Sequence, residues 1–138
     1  MPQGDVAKGI ISKFTGSAFA TAIGAGKLYR EEAPQDAILP YCVFNFISNL
    51  NVETYTEHRE YDHIQFTIWT NDLNPDTAST GLDALLLALR TLYDGAVLTV
   101  TNWTNLNLRW ISERSAISED SQVIGSIIEY ETYITKSK

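Results

Sequence analysis

One cysteine in 138 residues leaves this chain without any internal disulfide, so its fold rests on packing alone. Cys42 asks for no oxidising compartment, and a reducing cytoplasm suits the composition. Long apolar runs are missing too. The longest, ALLLAL at residues 84–89, falls far short of the ~20 residues that span a bilayer, so no membrane partner is expected. The N-terminus carries neither a basic leader nor an unbroken apolar stretch, and no export signal is legible. Positive charge is scarce: 10 basic residues stand against 17 acidic ones, a formal net charge of −7. Such a chain lacks the field that draws proteins onto phosphates, which argues against tightly held nucleic acid. The basic residues are scattered, and only the tail Lys136-Ser137-Lys138 clusters them.

Catalytic signatures are equally thin. GAGKL at residues 24–28 resembles a phosphate-binding loop, but Thr21 stands where the first Gly belongs and Leu28 where Ser or Thr belongs. The dinucleotide pattern fails at Tyr29, and no GxSxG elbow occurs. EHREYDH gathers His58, Glu60, Asp62 and His63, which suggests metal ligands. Yet a spacing of five puts the two histidines on opposite faces of a strand, and roughly 140° apart on a helix. Cys42 lies in an apolar strand, where a thiol is usually a small buried hydrophobe. Asn102-Trp103-Thr104 matches a glycosylation acceptor without an export signal to make it meaningful. These absences lead us to expect no enzyme, no catalytic residues, no cofactor and no metal.

What is present is a chain of 44% apolar residues, long enough for one domain, residues 1–138, with a real core. Val6, Ile10, Ile11 and Phe14 recur at helical spacing behind Asp5, and Ser17 can cap a short extension, AFATAI, before the glycines of GAG. Pro34 and Pro40 then stiffen a strap that leads into YCVFNFI. There Cys42, Phe44 and Phe46 share one strand face, and Tyr41, Val43, Asn45 and Ile47 the other. In HIQFTIWT, Ile64, Phe66 and Ile68 alternate with a face that is polar except for Trp69. The charged connection between the two, residues 48–62, can prolong both into a projecting hairpin. A leucine-rich helix follows, capped by Asn74 with Pro75 behind it and stopped by Gly95; Leu82, Leu85, Leu86, Leu89 and Leu92 form its stripe. Two closing strands lie within VLTVTNWTNLNLRWIS and VIGSIIEYETYIT, around a polar loop, ERSAISEDSQ. The expectation is an α+β fold in the order α-β-β-α-β-β: a four-stranded antiparallel sheet with two main helices packed on one face. Its other face is left to solvent or to a partner.

This succession of elements, with Tyr29, Ala33, Pro34, Leu39, Pro40 and Tyr41 leading into the first strand and YETYI closing the last, resembles the tail-completion, or tail-terminator, proteins of long-tailed bacteriophages. The resemblance implies a non-enzymatic structural protein of the virion tail, assembled in the host cytoplasm. It further implies a sixfold self-associated ring at the head-proximal end, touching the tail tube protein and the head-tail connector protein, with DNA passing through but not tightly bound. The candidate subunit-interface residues are Val52, Glu53 and Tyr55 on the projecting segment and Trp69 on the uncovered face. A Trp on an otherwise polar strand face is more often partial core than a contact, and prolines so placed are more often a plain connection that guards an edge strand. Two other functions fit the same sequence: a different head-tail connector or tail component, and a small-ligand-binding or enzymatic α+β domain using the open sheet face as a cleft.

Overall fold

The computed structural model describes residues 3–24, 26–70, 82–100, 102–105, 107–117 and 124–137. Helix α1 (Gln3–Phe14) buries Val6, Ile10 and Phe14, spaced four apart, and places Asp5 in its first turn, where a negative charge complements the helix dipole. Gly16, at φ +77°, takes the left-handed turn that ends it. Ser17 then caps α2 (Ala18–Ile23) by accepting the Ala20 amide at 3.1 Å while its hydroxyl donates to Phe14 O at 2.6 Å. The rings of Phe14 and Phe19 meet edge to face across this break.

Strand β1 (Leu28–Arg30) pairs parallel with β2 (Tyr41–Asn51), Leu28 lying opposite Cys42. The strap, residues 31–40, runs between them and contains the cis Leu39–Pro40 bond. β2 turns back as β3 (Glu57–Thr70), antiparallel, with an irregularity between Phe46 and Ser48. Helix α3 (Leu82–Tyr93) follows, then β4 (Thr104–Asn105), β5 (Arg109–Ile117) and β6 (Ile124–Ser137). Across the sheet the order is β1-β2-β3-β6, and β4 and β5 lie one after the other along the far side of β6.

This overturns the expected four-stranded antiparallel sheet with two main helices. Among the described residues the sheet is mixed, with one parallel pair, and three helices accompany it. The parallel strand escaped notice because three residues show no period-2 alternation, and its partner lies beyond ten residues of strap. The expected end near Gly16 and cap at Ser17 are present, and the segment behind them is a helix in its own right rather than an extension of α1. β5 also runs through Glu113–Ile117 of the stretch expected to be loop. The expected Asn74 cap with Pro75, and the rest of that loop, residues 118–122, lie outside the described residues.

The even-numbered side chains of β3, Ile64, Phe66 and Ile68, face the helices with no exposed surface. They join Cys42 and Phe44 of β2, Ile128, Tyr130 and Ile134 of β6, and the apolar faces of all three helices in one cluster. Each such side chain contributes roughly 1.5–3 kcal/mol by leaving water. Tyr93 is the keystone the leucine stripe did not predict. Its ring stacks on Phe66 at 4.8 Å between centroids, and its hydroxyl donates to Ile10 O at 2.9 Å, tying α3 to α1.

Candidate assembly surface

The odd-numbered side chains of β3 face away from the helices, and this open face is not bare. Trp69 lies opposite Tyr41 on one side and Gly125 on the other. A Cβ at Gly125 would stand 3.1 Å from the Trp69 ring, so the indole sits against a position that only glycine leaves free. The strap curls over the same region. Glu31, at φ +70°, donates its amide to Phe44 O at 2.9 Å, and the Asn45 amide donates to Glu31 O at 3.0 Å. Glu31, Glu32 and Ala33 thus border a hollow of about 310 Å³ whose floor includes Val43, Thr67 and Trp69. Trp69 is half-buried there.

Farther along the open face, polar groups converge on Glu129. The Ser112 hydroxyl donates to it at 2.8 Å, Arg114 at 3.0 Å, and His63 Nε2 lies 3.5 Å away. Burial alone would raise this carboxyl, but those hydrogen bonds and the charges of Arg114 and His63 hold it below the ordinary glutamate value. Arg109 and Glu131 form a second ion pair beside it. The Tyr61 and Tyr133 rings then meet tilted at 46°, 4.4 Å between centroids, with the Arg59 guanidinium over the Tyr133 ring.

The charged connection does extend both strands: pairing continues out to Asn51 opposite Glu60. Only residues 52–56 form the tip, closed by Val52 N to Arg59 O at 2.9 Å and Thr54 N to Glu57 O at 3.0 Å. Tyr55 is 100% exposed, and Ile47, Leu50 and Val52 are exposed with it. Glu53 pairs with His58 at 2.8 Å. Val52, Glu53 and Tyr55 therefore share one tip. Trp69 is not with them, because twelve residues of β3 separate it from Glu57, roughly 40 Å of strand. A third apolar feature, which the sequence reading missed, is a groove of about 440 Å³ between α2 and α3, lined by Ala18, Phe19, Ala84, Leu87, Ala88 and Leu92 among others. Its signal was Leu87, which stands outside the leucine stripe and is 69% exposed.

Chemically reactive groups are kept apart. Cys42 is fully buried, and burial drives its thiol far above the range in which a thiolate forms. His58 and His63 lie on opposite faces of β3, each beside its own glutamate. Among the described residues, no three of the His, Cys, Asp and Glu side chains are grouped to hold a metal ion. No helix among them is long and apolar enough to cross a membrane.

What these elements define is an α+β fold with a mixed sheet, helices on one face and a long β2–β3 hairpin whose tip, residues 52–56, lies beyond the paired strands. No protein-family model matches the chain, and no curated protein matches it. In the solved structure "Virion of native gene transfer agent (GTA) particle", one chain is similar to this one with a TM-score of 0.74, over 94% of this chain and 97% of that one. The two are 13% identical, so the likeness is one of fold.

Proposed function

We propose that this chain is a structural protein of a phage virion: a single domain, residues 1–138, that forms a ring at the head-proximal end of the tail tube, ends tube growth and offers the surface to which the head joins. The observation that carries the reading is the fold likeness to a virion chain over nearly the full length of both. The resemblance of the strap and closing strand to tail-terminator proteins supports a position at the end of the tail tube. Exposed apolar surface at the hairpin tip and beside it supports the reading further, since the Tyr55 ring and, on β2, Leu50 are suited to meeting another chain. The partners on this reading are further copies of the chain, six to a ring, the tail tube protein below and the connector above. Another connector or tail component remains the nearest alternative, differing only in position.

The test is removal and replacement. Particles made without this protein should carry tails of uncontrolled length that do not join heads, and purified protein should restore them. Tyr55→Asp and Trp69→Asp should each remain folded, by circular dichroism, yet fail to restore joining. Tails of normal length joined to heads in its absence would overturn the proposal. A Trp69→Asp chain that does not fold would place Trp69 in the core, leaving the tip as the interface.

A further inference from the structure

Asp62 sits on β3 opposite Asn49, where β2 has passed the end of its pairing with β1 and is held by β3 alone, and 0% of its surface is exposed. A carboxylate so placed needs partners for both oxygens. One accepts the Asn49 side-chain amide at 2.5 Å; the other, Oδ2, has no hydrogen-bond partner. The same Asn49 amide also reaches a Glu60 carboxylate oxygen at 3.3 Å, so one donor group from β2 serves two acids on the same face of β3. Burial first, then the Glu60 charge, pushes Asp62 up to about 6 despite the lowering effect of Asn49. Around this end of the face stand His58 and Glu60 from β3, Asn49 and Asn51 from β2, Glu53 from the tip, and Trp103 with Lys136 of β6, lining a cleft of about 490 Å³. Thr132 of β6 lies directly opposite Asp62. Lys136 is held over the Trp103 ring, and His58 is committed to Glu53.

We propose that Asp62 is a proton-operated latch on the end of β2: protonated, it holds β2 beyond Asn49, with the tip, against β3, and ionised, it loosens that end while β3 stays paired with β6. One amide satisfies the buried Asp62 carboxyl while it is neutral; it does not satisfy two neighbouring negative charges, one of them fully buried. The sign follows from the shift. The closed end binds the Asp62 proton more tightly than the open chain does, so its stabilisation is complete below 3.8 and is lost as pH rises through about 6. The tip carrying Val52, Glu53 and Tyr55 is then stiff in mild acid and mobile above neutrality. This inference does not depend on the proposed function.

Amide hydrogen exchange resolved by NMR tests it in the intact protein. Corrected for intrinsic exchange, protection of the Val52 and Thr54 amides should fall about tenfold or more between roughly pH 5 and pH 8, while the Phe66 amide changes little. In Asp62→Asn the fall should vanish; in His58→Gln, which removes the nearby imidazole, it should persist. If Asp62→Asn does not fold, the Asp62 side-chain carboxyl resonance of the wild type is followed instead, and its midpoint should coincide with that of the tip amides. Protection independent of pH, or dependence that survives in Asp62→Asn or disappears in His58→Gln, would refute the latch.

Discussion

Replacing Gly125 by alanine should be among the most damaging single-methyl changes available to this protein. Gly125 lies on β6 directly opposite Trp69. A Cβ built there would stand 2.2 Å from the carbonyl oxygen of Ile68 and 3.1 Å from the Trp69 ring. An ordinary carbon–oxygen contact needs about 3.3 Å, so the strands must part by roughly 1 Å at this point. Neither can do so freely, because β3 is paired on both sides, with β2 and with β6. Parting by that much takes the adjacent ladder bonds from about 2.9 Å to near 3.9 Å, beyond useful range. Two lost bonds at about 1 kcal/mol each, with about 1–3 kcal/mol of overpacking, give a cost of about 3–5 kcal/mol. For a chain of this size that lowers the melting midpoint by roughly 10–20 °C. Gly4, whose Cβ would meet nothing within 4 Å, is the control: Gly4→Ala should be neutral or raise stability by up to about 1 kcal/mol. Gly9→Ala should fall between them, since its Cβ would come 2.7 Å from Thr99 O, in a segment outside the strand ladders. Thermal unfolding followed by circular dichroism reads all three. If Gly125→Ala melts within about 2 °C of the parent, the close approach of β6 to β3 is wrong.

Glu129→Gln should destabilise the protein at neutral pH, because the carboxyl is held below its ordinary 4.5 and its ionised form is the one favoured by the fold. That contribution is present above 4.5 and fades as pH falls through the lower folded value, so the gap between variant and parent should narrow in acid urea titrations; a gap that widens there would contradict the Ser112, Arg114 and His63 contacts. Since every copy carries −7, rings should assemble poorly at low ionic strength and better when salt or magnesium screens the charge. Sedimentation of the purified protein checks this, and a ring stable at low salt that dissociates as salt rises would show attractive ion pairs dominating the contacts.

Alternation made the centre of the sheet legible. Ile64, Phe66 and Ile68 can face only one way, and burying them fixes the register of everything paired with β3. The same period carried on by two residues reaches Asp62, so its burial was available in the sequence, hidden by the charged company of EHREYDH. Leu28–Arg30 was not legible, because three residues carry no period and a parallel partner is chosen by tertiary contact. Tyr93 was passed over because its hydroxyl marks it as polar, yet that hydroxyl is what finds Ile10 O inside the core. The expected topology, a charged connection and a sheet face without helices, is what picks out Val52, Glu53, Tyr55 and Trp69 as candidate contacts. That three share a tip while the fourth lies a strand's length away depended on how far β2 and β3 stay paired, which a run of polar residues does not encode.

The two borders of the sheet decide how copies of this chain can meet when crowded. On one side β1 ends after three residues, where Glu31 turns left-handed and the strap carries the backbone away. On the other, β5 is irregular between Trp110 and Ser112 and shows Arg109, Glu113 and Arg114 to solvent. Neither border is a long flat template for an incoming strand, so runaway fibre growth by backbone pairing is discouraged even at high copy number. In the proposed ring the contacts are then made by side chains, and a contact of fixed angle can close on itself after a set number of members and then stop.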